Sequence, residues 1–390
     1  MKILFLTAEP PWPLDQGDKL RNYYLLKELS SKNDITLVCF CTPQDVSGAW
    51  QKELFPLCKD VYTIPLDRRT MLINIAKRPH MPITMAARIC HPMVRLIREL
   101  SNRHKYDITM TCQLKMAAYL KYSVSGKKVA ELTDLLSVYW KRMAEFESIR
   151  LKRYLLNLEI AKLVYWEKKI VSNSEMSIFV SPNDAAVIKQ MLPDKRISVL
   201  SNGVNLEYFT PLKPSEKPVL IFYGHLRYPP NKDAIVWFGR EIFPRIKDAV
   251  PEVELLIVGK EPVPTVTQMA EIPGVSLIGY VNDLRPYLER AALMIVPLRF
   301  GAGMRNKILE AMASERAVVS TSLGCEGLEV IPGTHLEVAD EPLSFANAII
   351  DLLNDRNRRA FLSENGRRLV ESSYNWDSIG KRLGSLLRDI

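Results

Sequence analysis

The run Gly301-Ala-Gly-Met-Arg-Asn-Lys-Ile-Leu-Glu-Ala-Met-Ala313 places a lysine and a carboxylate directly behind a glycine-rich turn. The apolar run 292–297 before it predicts a buried strand. Glycines at a strand end permit a tight turn and close approach of the backbone to a ligand. A helix that opens after such a turn presents free N–H groups and the positive end of its dipole, and both favour an anion.

Helical spacing gives this segment one narrow polar stripe, formed by Gly303, Lys307, Glu310 and Ser314. The adjoining face is apolar and consists of Met304, Ile308, Ala311 and Met312. We therefore expect the apolar face in the core and the polar stripe toward solvent. A cation suits a phosphate, and a carboxylate accepts hydrogen bonds from two vicinal hydroxyls. Diphosphate beside ribose is typical of a nucleotide sugar. The alternative is a surface Lys307–Glu310 pair, worth about 0.2–0.5 kcal/mol.

Strand and helix signals alternate along the whole chain, and its 390 residues suit two α/β domains. Strands are predicted at 2–7, 35–40, 106–111, 128–132, 177–181, 197–200, 219–224, 253–259, 275–279, 292–297 and 317–321. Helices are predicted at 18–30 and 231–248, and 135–171 is a long helix-prone stretch without proline or glycine. The pattern predicts two Rossmann-like domains with parallel sheets facing across a cleft, with ligands at the carboxyl ends of the strands.

The composition excludes several classes of protein. No window approaches 18 consecutive apolar residues, so no transmembrane helix is expected, and the start MKILFLTAEPP is too short for a signal peptide. The six cysteines form no C-x-x-C pair, which argues against a zinc site and indicates a reducing, cytoplasmic compartment.

The net charge of +9 is concentrated in one segment. Residues 68–105 hold nine Lys and Arg against one acid, Glu99. Apolar side chains are interspersed with these cations, at Met71, Leu72, Ile73, Ile75, Met81 and Ile83. Apolar insertion together with attraction to anionic lipids is how monotopic proteins dock, so we expect this segment to bind an anionic membrane surface. The alternative is a solvated basic face without a partner.

The C-terminal run, with Thr321-Ser-Leu-Gly-Cys-Glu-Gly327 after the next strand, resembles the donor site of family 4 (GT4) retaining glycosyltransferases of the GT-B fold. Ser201-Asn-Gly-Val-Asn205, followed by Tyr208-Phe-Thr-Pro211, is similar to the segment that closes the first domain of that family. Pro230-Asn231 with Asp233, Gly259 and Gly279 is similar to a subgroup near bacterial sugar transferases of exopolysaccharide assembly.

This resemblance implies roles for individual residues. Glu310 would bind the ribose hydroxyls, and Lys307 would face the diphosphate as a catalytic group. Further donor contacts would come from Gly224, Asn231, Lys232, Gly301, Gly303, Met304 and Arg305. Arg227 and Lys232 have the spacing of the family's Arg–Lys pair, which makes Arg227 a second catalytic candidate; counting from Gly224 instead places His225 in the arginine position. Ala302 stands where the family often has another glutamate.

The first domain has weaker signals. Its first strand ends in a proline-rich loop with Gly17 and the nearby Arg21, which we expect on the acceptor side. Asp134 follows a predicted strand end and would orient an acceptor hydroxyl as a third catalytic candidate. The alternative for the proline-rich loop is a plain connection. The alternative for Asp134 is a helix N-cap, formed by Thr133 or Asp134.

The sequence thus predicts a cytoplasmic, retaining glycosyltransferase that associates peripherally with the inner face of the membrane and serves cell-surface polysaccharide or glycolipid synthesis. Its partners would be a nucleoside-diphosphate sugar and a glycan or lipid-linked acceptor, with no metal or other cofactor and no nucleic acid. The predicted parts are an acceptor-side domain 1–205, a linker 206–217, a nucleotide-sugar-binding domain 218–372, and a C-terminal helix 373–390 that packs back on the first domain. The alternatives are a nucleotide-sugar epimerase or hydrolase of the same fold, and a basic nucleic-acid-binding protein.

Overall fold

The computed structural model describes residues 1–14, 16–42, 48–213, 215–301 and 305–390. The chain forms two compact units. The first comprises Met1–Asn202 with Trp376–Ile390, and the second comprises Gly203–Asn375. Each unit contains one all-parallel sheet with helices, so the predicted class, α/β with two Rossmann-like units, is confirmed.

The first unit has a seven-stranded sheet of order β3-β2-β1-β4-β5-β6-β7. Its strands are β1 (Lys2–Thr7), β2 (Asp34–Cys41), β3 (Asp60–Pro65), β4 (Ile108–Cys112), β5 (Lys127–Thr133), β6 (Met176–Phe179) and β7 (Ile197–Val199). Its helices are α1 (Gly17–Ser30), α2 (Ala49–Leu54), α3 (Arg68–Lys77), α4 (Ile83–Ala86), α5 (His91–Arg103), α6 (Leu114–Ala117), α7 (Leu136–Glu145), α8 (Arg150–Ser172) and α9 (Pro182–Met191). Successive residues of β1 point to opposite faces of the sheet, so Ile3 and Leu4 enter two separate apolar cores.

The second unit has a six-stranded sheet of order β10-β9-β8-β11-β12-β13. Its strands are β8 (Val219–Tyr223), β9 (Glu254–Val258), β10 (Val275–Gly279), β11 (Leu293–Val296), β12 (Ala317–Ser320) and β13 (Glu337–Val338). Its helices are α10 (Pro229–Trp237), α11 (Phe243–Ala249), α12 (Pro264–Thr267), α13 (Arg285–Arg290), α14 (Asn306–Ala313), α15 (Pro342–Asn354) and α16 (Arg356–Ser373). A π-helical turn, Phe238–Ile242, joins α10 to α11. Residues of β8 and β11 are fully buried because helices cover both faces of a parallel sheet.

The last helix, α17 (Trp376–Arg388), returns to the first unit. The indole ring of Trp376 stacks on the ring of Tyr24 in α1, with 4.8 Å between the ring centroids. Its buried residues Ile379, Leu383 and Leu387 join the core beneath β1, β2 and β4. The first unit is therefore discontinuous in sequence.

Three sequence expectations differ from these elements. Residues 206–217, predicted as a linker, lie within the second unit, where the amide of Leu212 donates to the Ser314 carbonyl. The stretch 135–171 forms two helices, α7 and α8, which are separated where the Ile149 amide donates to the Glu147 carboxylate. Strands β3 and β13 were not predicted; β3 is only half-buried, and β13 has two residues.

Candidate functional site

Glycines follow the ends of three neighbouring strands in the second unit. Gly224 comes directly after β8, Gly259 after β9, and Gly279 ends β10. Gly224 has φ +149°, and a Cβ there would lie 2.8 Å from Asn231 Nδ2 and 3.1 Å from Lys307 Nζ. A side chain at position 224 would therefore displace the two groups that the sequence assigns to the donor. This glycine keeps the carboxyl end of β8 open beside α10 and α14.

Lys307 lies in the first turn of α14, with its ammonium directed at the end of β8. Nζ donates to Asn231 Oδ1 at 3.0 Å and stands 4.3 Å from the centroid of the Phe222 ring. Burial and, to a lesser extent, the positive charge of Arg305 lower the pKa of Lys307 to about 7, while the Glu310 carboxylate opposes the shift. Near neutral pH this lysine is close to the balance between its charged and neutral forms. An anion bound next to it would shift that balance toward the ammonium.

Glu310, one turn after Lys307, is held by a tyrosine at the end of β8. The Tyr223 hydroxyl lies 2.8 Å from Glu310 Oε2 and 2.9 Å from the Lys307 carbonyl oxygen. Burial raises the pKa of Glu310, while the Tyr223 hydrogen bond and the Lys307 charge oppose that rise. Burial and the nearby carboxylate raise the pKa of Tyr223 well above its usual range, so this phenol stays protonated as a donor. A carboxylate retains acceptor capacity on Oε1 for further hydroxyl groups.

The polar stripe of α14 does not face solvent as the sequence predicted. Lys307 and Glu310 are half-buried against the end of β8, and Ser314 is only 1% exposed. Ile308, Ala311 and Met312 are fully buried, as predicted for the apolar face. The polar stripe and the apolar face of α14 therefore both pack against other parts of the protein. The surface ion-pair alternative fails for the same reason, because each side chain has a hydrogen-bond partner on another element.

Arg227 and Lys232 are not directed into this cluster. The Arg227 side chain is 71% exposed, with Nη1 at 3.4 Å from Glu261 Oε2. His225, the alternative for that position, pairs with the same carboxylate at 3.3 Å. Lys232 is exposed on α10. The residue of this segment that reaches Lys307 is Asn231, which is buried and also donates from Nδ2 to the His225 carbonyl at 3.0 Å.

The turn before α14 is described only in part. Gly301 is buried with φ +130°, and a Cβ there would lie 2.5 Å from Arg305 Nη2, so a glycine is needed for the arginine to lie across it. Arg305 is the residue immediately before the helix. Gly303 and Met304, two predicted donor contacts, lie outside the described residues together with Ala302.

Arg21 in the first unit is a buried crosslink. It is 1% exposed, and its Nε donates to Glu131 Oε1 at 2.9 Å. Nη1 donates to the Ser201 carbonyl and to Asn202 Oδ1, and Nη2 donates to the Leu200 carbonyl. The guanidinium thus ties α1 to the end of β5 and to the chain after β7. This placement is that of a structural group and does not match the predicted acceptor contact.

Gly17 and Asp134 lie near the carboxyl ends of the strands of the same unit. Gly17 is the exposed first residue of α1. Asp134 lines a cavity of about 170 Å³ together with Asp18, Gln113 and Lys115. The N-cap position of α7 is occupied by Leu135, because the helix begins at Leu136, so neither Thr133 nor Asp134 stands at the predicted N-cap. Instead, Glu167 of α8 accepts from the amide of Ser137 at 3.0 Å.

Sequence reasoning missed two residues of the candidate donor site and one of the first unit. Both Tyr223 and Phe222 fall inside the predicted strand 219–224, and neither residue is assigned a role of its own from the sequence. Their signal was an aromatic pair directly before a glycine at a strand end. Glu131, fully buried against Arg21, was read as part of a strand.

Two further tests concern metals and membranes. Within the described ranges, no group of three or more His, Cys, Asp or Glu side chains is arranged to hold a metal ion. None of the helices in the described part of the chain combines the length and the apolar character needed to cross a bilayer.

In parallel α/β folds, a lysine and a carboxylate where a helix begins beside a strand end are typical of nucleotide-binding sites. Over residues 217–355 the chain matches the family model described as Glycosyl transferases group 1. The matched range contains Tyr223, Asn231, Lys307 and Glu310. This match and the fold together support a glycosyltransferase of the GT-B fold, with sugar transfer from a nucleotide sugar as its activity.

Three known proteins illustrate what this chain is similar to in sequence and in fold. An uncharacterized 44.6 kDa protein in the cps region of Klebsiella pneumoniae is 23% identical over 392 residues, covering 96% of each chain. A GDP-mannose-dependent monoacylated α-(1-6)-phosphatidylinositol monomannoside mannosyltransferase of Corynebacterium glutamicum is 27% identical over 212 residues, 48% of this chain and 55% of the relative. Among solved structures, sucrose-phosphate synthase from Thermosynechococcus elongatus has a TM-score of 0.73 at 18% identity, covering 100% of this chain and 99% of the other.

Proposed function

We propose that this protein is a retaining glycosyltransferase that moves a sugar from a nucleoside-diphosphate sugar to a glycan or lipid-linked acceptor. The observation that carries the proposal is the cluster at the end of β8, where Lys307 and Glu310 are held by Asn231 and Tyr223. Retention follows from the resemblance to family 4 transferases.

Lys307 would neutralise the diphosphate, on which negative charge grows as the bond to the sugar breaks. The first turn of α14 adds backbone N–H groups and a favourable dipole on the same side. Because the pKa of Lys307 is about 7 without a ligand, binding of the diphosphate would be coupled to protonation of the Lys307 amine. Catalysis is then positioning and electrostatic stabilisation of the leaving group.

Glu310 would accept hydrogen bonds from the two ribose hydroxyls, with Tyr223 fixing the carboxylate in place. The hydroxyls lie on the part of the donor whose charge does not change in the reaction. Glu310 and Tyr223 should therefore contribute equally to ground-state and transition-state binding.

A thermal-shift screen of UDP-, GDP- and ADP-sugars tests the donor class. We expect one nucleotide family to raise the melting temperature, by an amount that grows with ligand concentration. Guanine and uracil nucleotides both occur among the similar proteins. The Corynebacterium relative is named as GDP-mannose-dependent, and a structurally similar Anabaena protein was solved with UDP-glucose. Stabilisation that persists in Lys307→Ala and Glu310→Gln alike would contradict the proposed site.

Product analysis with a sugar-labelled donor tests the reaction itself. Transfer of label to an acceptor with unchanged anomeric configuration is expected. Release of free sugar as the sole product, or conversion to an epimeric nucleotide sugar, would instead favour the hydrolase or epimerase alternative.

We further propose that the acceptor belongs to a cell-surface polysaccharide or glycolipid. Among the similar proteins, one is named for a phosphatidylinositol mannoside substrate, and another is named as a lipopolysaccharide outer core galactosyltransferase. Asp134, at the 170 Å³ cavity, is the candidate for orienting the acceptor hydroxyl, and Gly17 would lie in the acceptor-side loop.

The basic segment 68–105 is proposed to bind the inner, anionic face of a cytoplasmic membrane. Its apolar side chains divide into two groups: Met71, Ile75 and Met81 pack against the core, while Leu72, Ile73 and Ile83 are 67%, 52% and 50% exposed. On α3 the exposed pair lies among Arg68, Arg69 and Lys77. Apolar insertion and attraction to anionic lipid would act together there, at about 1 kcal/mol per cation near the surface.

Sedimentation with vesicles tests this surface. Binding to anionic phosphatidylglycerol vesicles should be reversible, weaken with salt and exceed binding to phosphatidylcholine. Leu72→Ser with Ile73→Ser should reduce it. Leu343→Ser, at an exposed leucine of the second unit, is the matched control and should not. Equal sedimentation with neutral and anionic vesicles would contradict the proposal.

A further inference from the structure

A second cavity of the first unit lies at the amino edge of its sheet. Its volume is about 240 Å³, and its lining includes Lys128, Trp166, Lys169, Asn173 and Ser174. Lys128 is the second residue of β5, and Ser174 stands shortly before β6 begins. Asp134 lies just past the other end of β5, roughly 20 Å away at about 3.3 Å per residue. The cavity is therefore separate from the one that Asp134 lines.

Three lysines surround this cavity: Lys121, Lys128 and Lys169. They come from three elements, the short helical turn Leu120–Tyr122, β5 and α8. Among the described residues that line the cavity, none is Asp or Glu. The nearby Glu175 carboxylate accepts from the amide of Lys128 at 2.6 Å, so it is engaged with the backbone. Like charges gathered from separate elements repel one another, and an anion between them removes that repulsion.

Aromatic rings hold two of the ammonium groups. Lys169 Nζ stands 4.8 Å from the Trp166 ring centroid, and Lys121 Nζ stands 4.8 Å from the Tyr122 ring centroid. Such cation–π contacts are worth about 0.5–1 kcal/mol at exposed sites and limit where the flexible side chains point. The rest of the lining includes apolar side chains, at Ala117, Ala118, Leu120 and Ile170. The cavity thus combines a cationic rim with an apolar and aromatic wall.

From this geometry we propose that the cavity binds a small organic phosphate, its phosphate held by Lys121, Lys128 and Lys169 and its ring packed against Trp166. Three ammonium donors suit a phosphate, and the aromatic wall suits a sugar or base. The volume of about 240 Å³ lies just below the roughly 300–1,000 Å³ of common small-molecule pockets, so the ligand should be no larger than a nucleoside monophosphate. The site is independent of the donor site, since all its residues belong to the first unit.

Calorimetric titration of the full chain with AMP, and separately with inorganic phosphate, tests the proposal. Lys121→Gln with Lys169→Gln should weaken AMP binding by about tenfold or more, equivalent to about 1.4 kcal/mol. Lys127→Gln with Lys168→Gln is the matched control. It removes the same charge at exposed positions on β5 and α8 that do not line the cavity, and should change the affinity by less than about twofold. AMP should bind more tightly than inorganic phosphate because of the aromatic wall.

Thermal melts check that both double variants remain folded. We expect both to fold, because all four substituted lysines are exposed. Lys307→Ala separates the cavity from the donor site, and AMP binding to the cavity should survive it. The proposal is overturned if AMP does not bind at millimolar concentration, if the two double variants weaken binding equally, or if Lys307→Ala alone abolishes it.

Discussion

Each unit has a cation–carboxylate cluster at the carboxyl ends of its parallel strands. The cluster of the first unit is fully buried, that of the second is half-buried, and the two differ in how many hydrogen bonds the cation makes. Arg21 makes four hydrogen bonds, to Glu131, Leu200, Ser201 and Asn202. Among the described residues, Lys307 Nζ makes one, to Asn231, and burial lowers its pKa. The first cluster is complete without a ligand. The Lys307 ammonium keeps donor capacity that a bound anion could use, which is typical of a binding site rather than of a structural tie.

The largest expected effect is on the structural cluster. Arg21→Met would leave the Glu131 carboxylate buried without its cation, at a cost of about 3–5 kcal/mol in the free energy of unfolding. Chemical denaturation measures this loss. Adding Glu131→Leu should recover part of it, because the unpaired charge is then removed as well. An Arg21→Met variant as stable as wild type would show that the comparison is false.

On the candidate donor cluster, Lys307→Ala should lower kcat by about 10²–10³, typical of losing one preorganised contact to developing charge. Its effect on stability should be much smaller than that of Arg21→Met, since the lysine is held in a partly unfavourable state. Steady-state kinetics beside thermal melts provide the measurement. Lys217→Ala, at an exposed lysine before β8, is the control and should retain wild-type kcat. Wild-type kinetics in Lys307→Ala would remove the donor site from this cluster.

The pH dependence of stability sharpens the contrast. Without donor, Lys307 has a pKa of about 7 in the fold, against about 10.4 in the unfolded chain. Between these values the unfolded chain holds one more proton, so the free energy of unfolding rises with pH. Relative to Lys307→Met, wild type should gain up to about 1.4 kcal/mol per pH unit above pH 7. Parallel curves from pH 7 to 9 would mean that the lysine is fully charged in the fold.

Glu310→Gln and Tyr223→Phe should act mainly on the donor KM, by amounts near the ~1 kcal/mol of one hydrogen bond, with smaller changes in kcat. Tyr223→Phe removes the donor that fixes Glu310 Oε2. The two changes share one interaction, so their combined effect should be less than the sum. Full additivity in the double variant would separate Tyr223 from the action of Glu310.

No effect is expected from removing divalent metal. In the proposed site, Lys307 and the start of α14 would supply the positive charge that a metal otherwise brings to a diphosphate, and the sequence has no Asp-x-Asp pair. Transfer should persist in excess EDTA. Complete loss of activity that Mn²⁺ restores would overturn this expectation.

The sequence predicted the strands that form the two sheet centres because they are continuous apolar runs, as in β8 and β11. It could not predict β3, whose half-buried residues have no such pattern. Helical spacing placed Lys307 and Glu310 on one stripe, but spacing within a helix does not determine what the stripe contacts. The partners are distant in sequence, Asn231 by 76 residues and Tyr223 by 87, and tertiary packing alone brings them together.

Helix α17 has a consequence for the newly made chain. Trp376, Ile379, Leu383 and Leu387 complete a core whose other members lie within the first 200 residues. At about 5–20 residues per second of synthesis, roughly 10–35 s pass while Gly203–Asn375 is made. Throughout that interval the part of α1 that packs against α17 is uncovered, and Tyr24 lacks the Trp376 ring that stacks on it. The first unit leaves the ribosome first, but it cannot finish folding until α17 has been made. A chain interrupted within the second unit would therefore expose apolar surface that chaperones and proteases recognise.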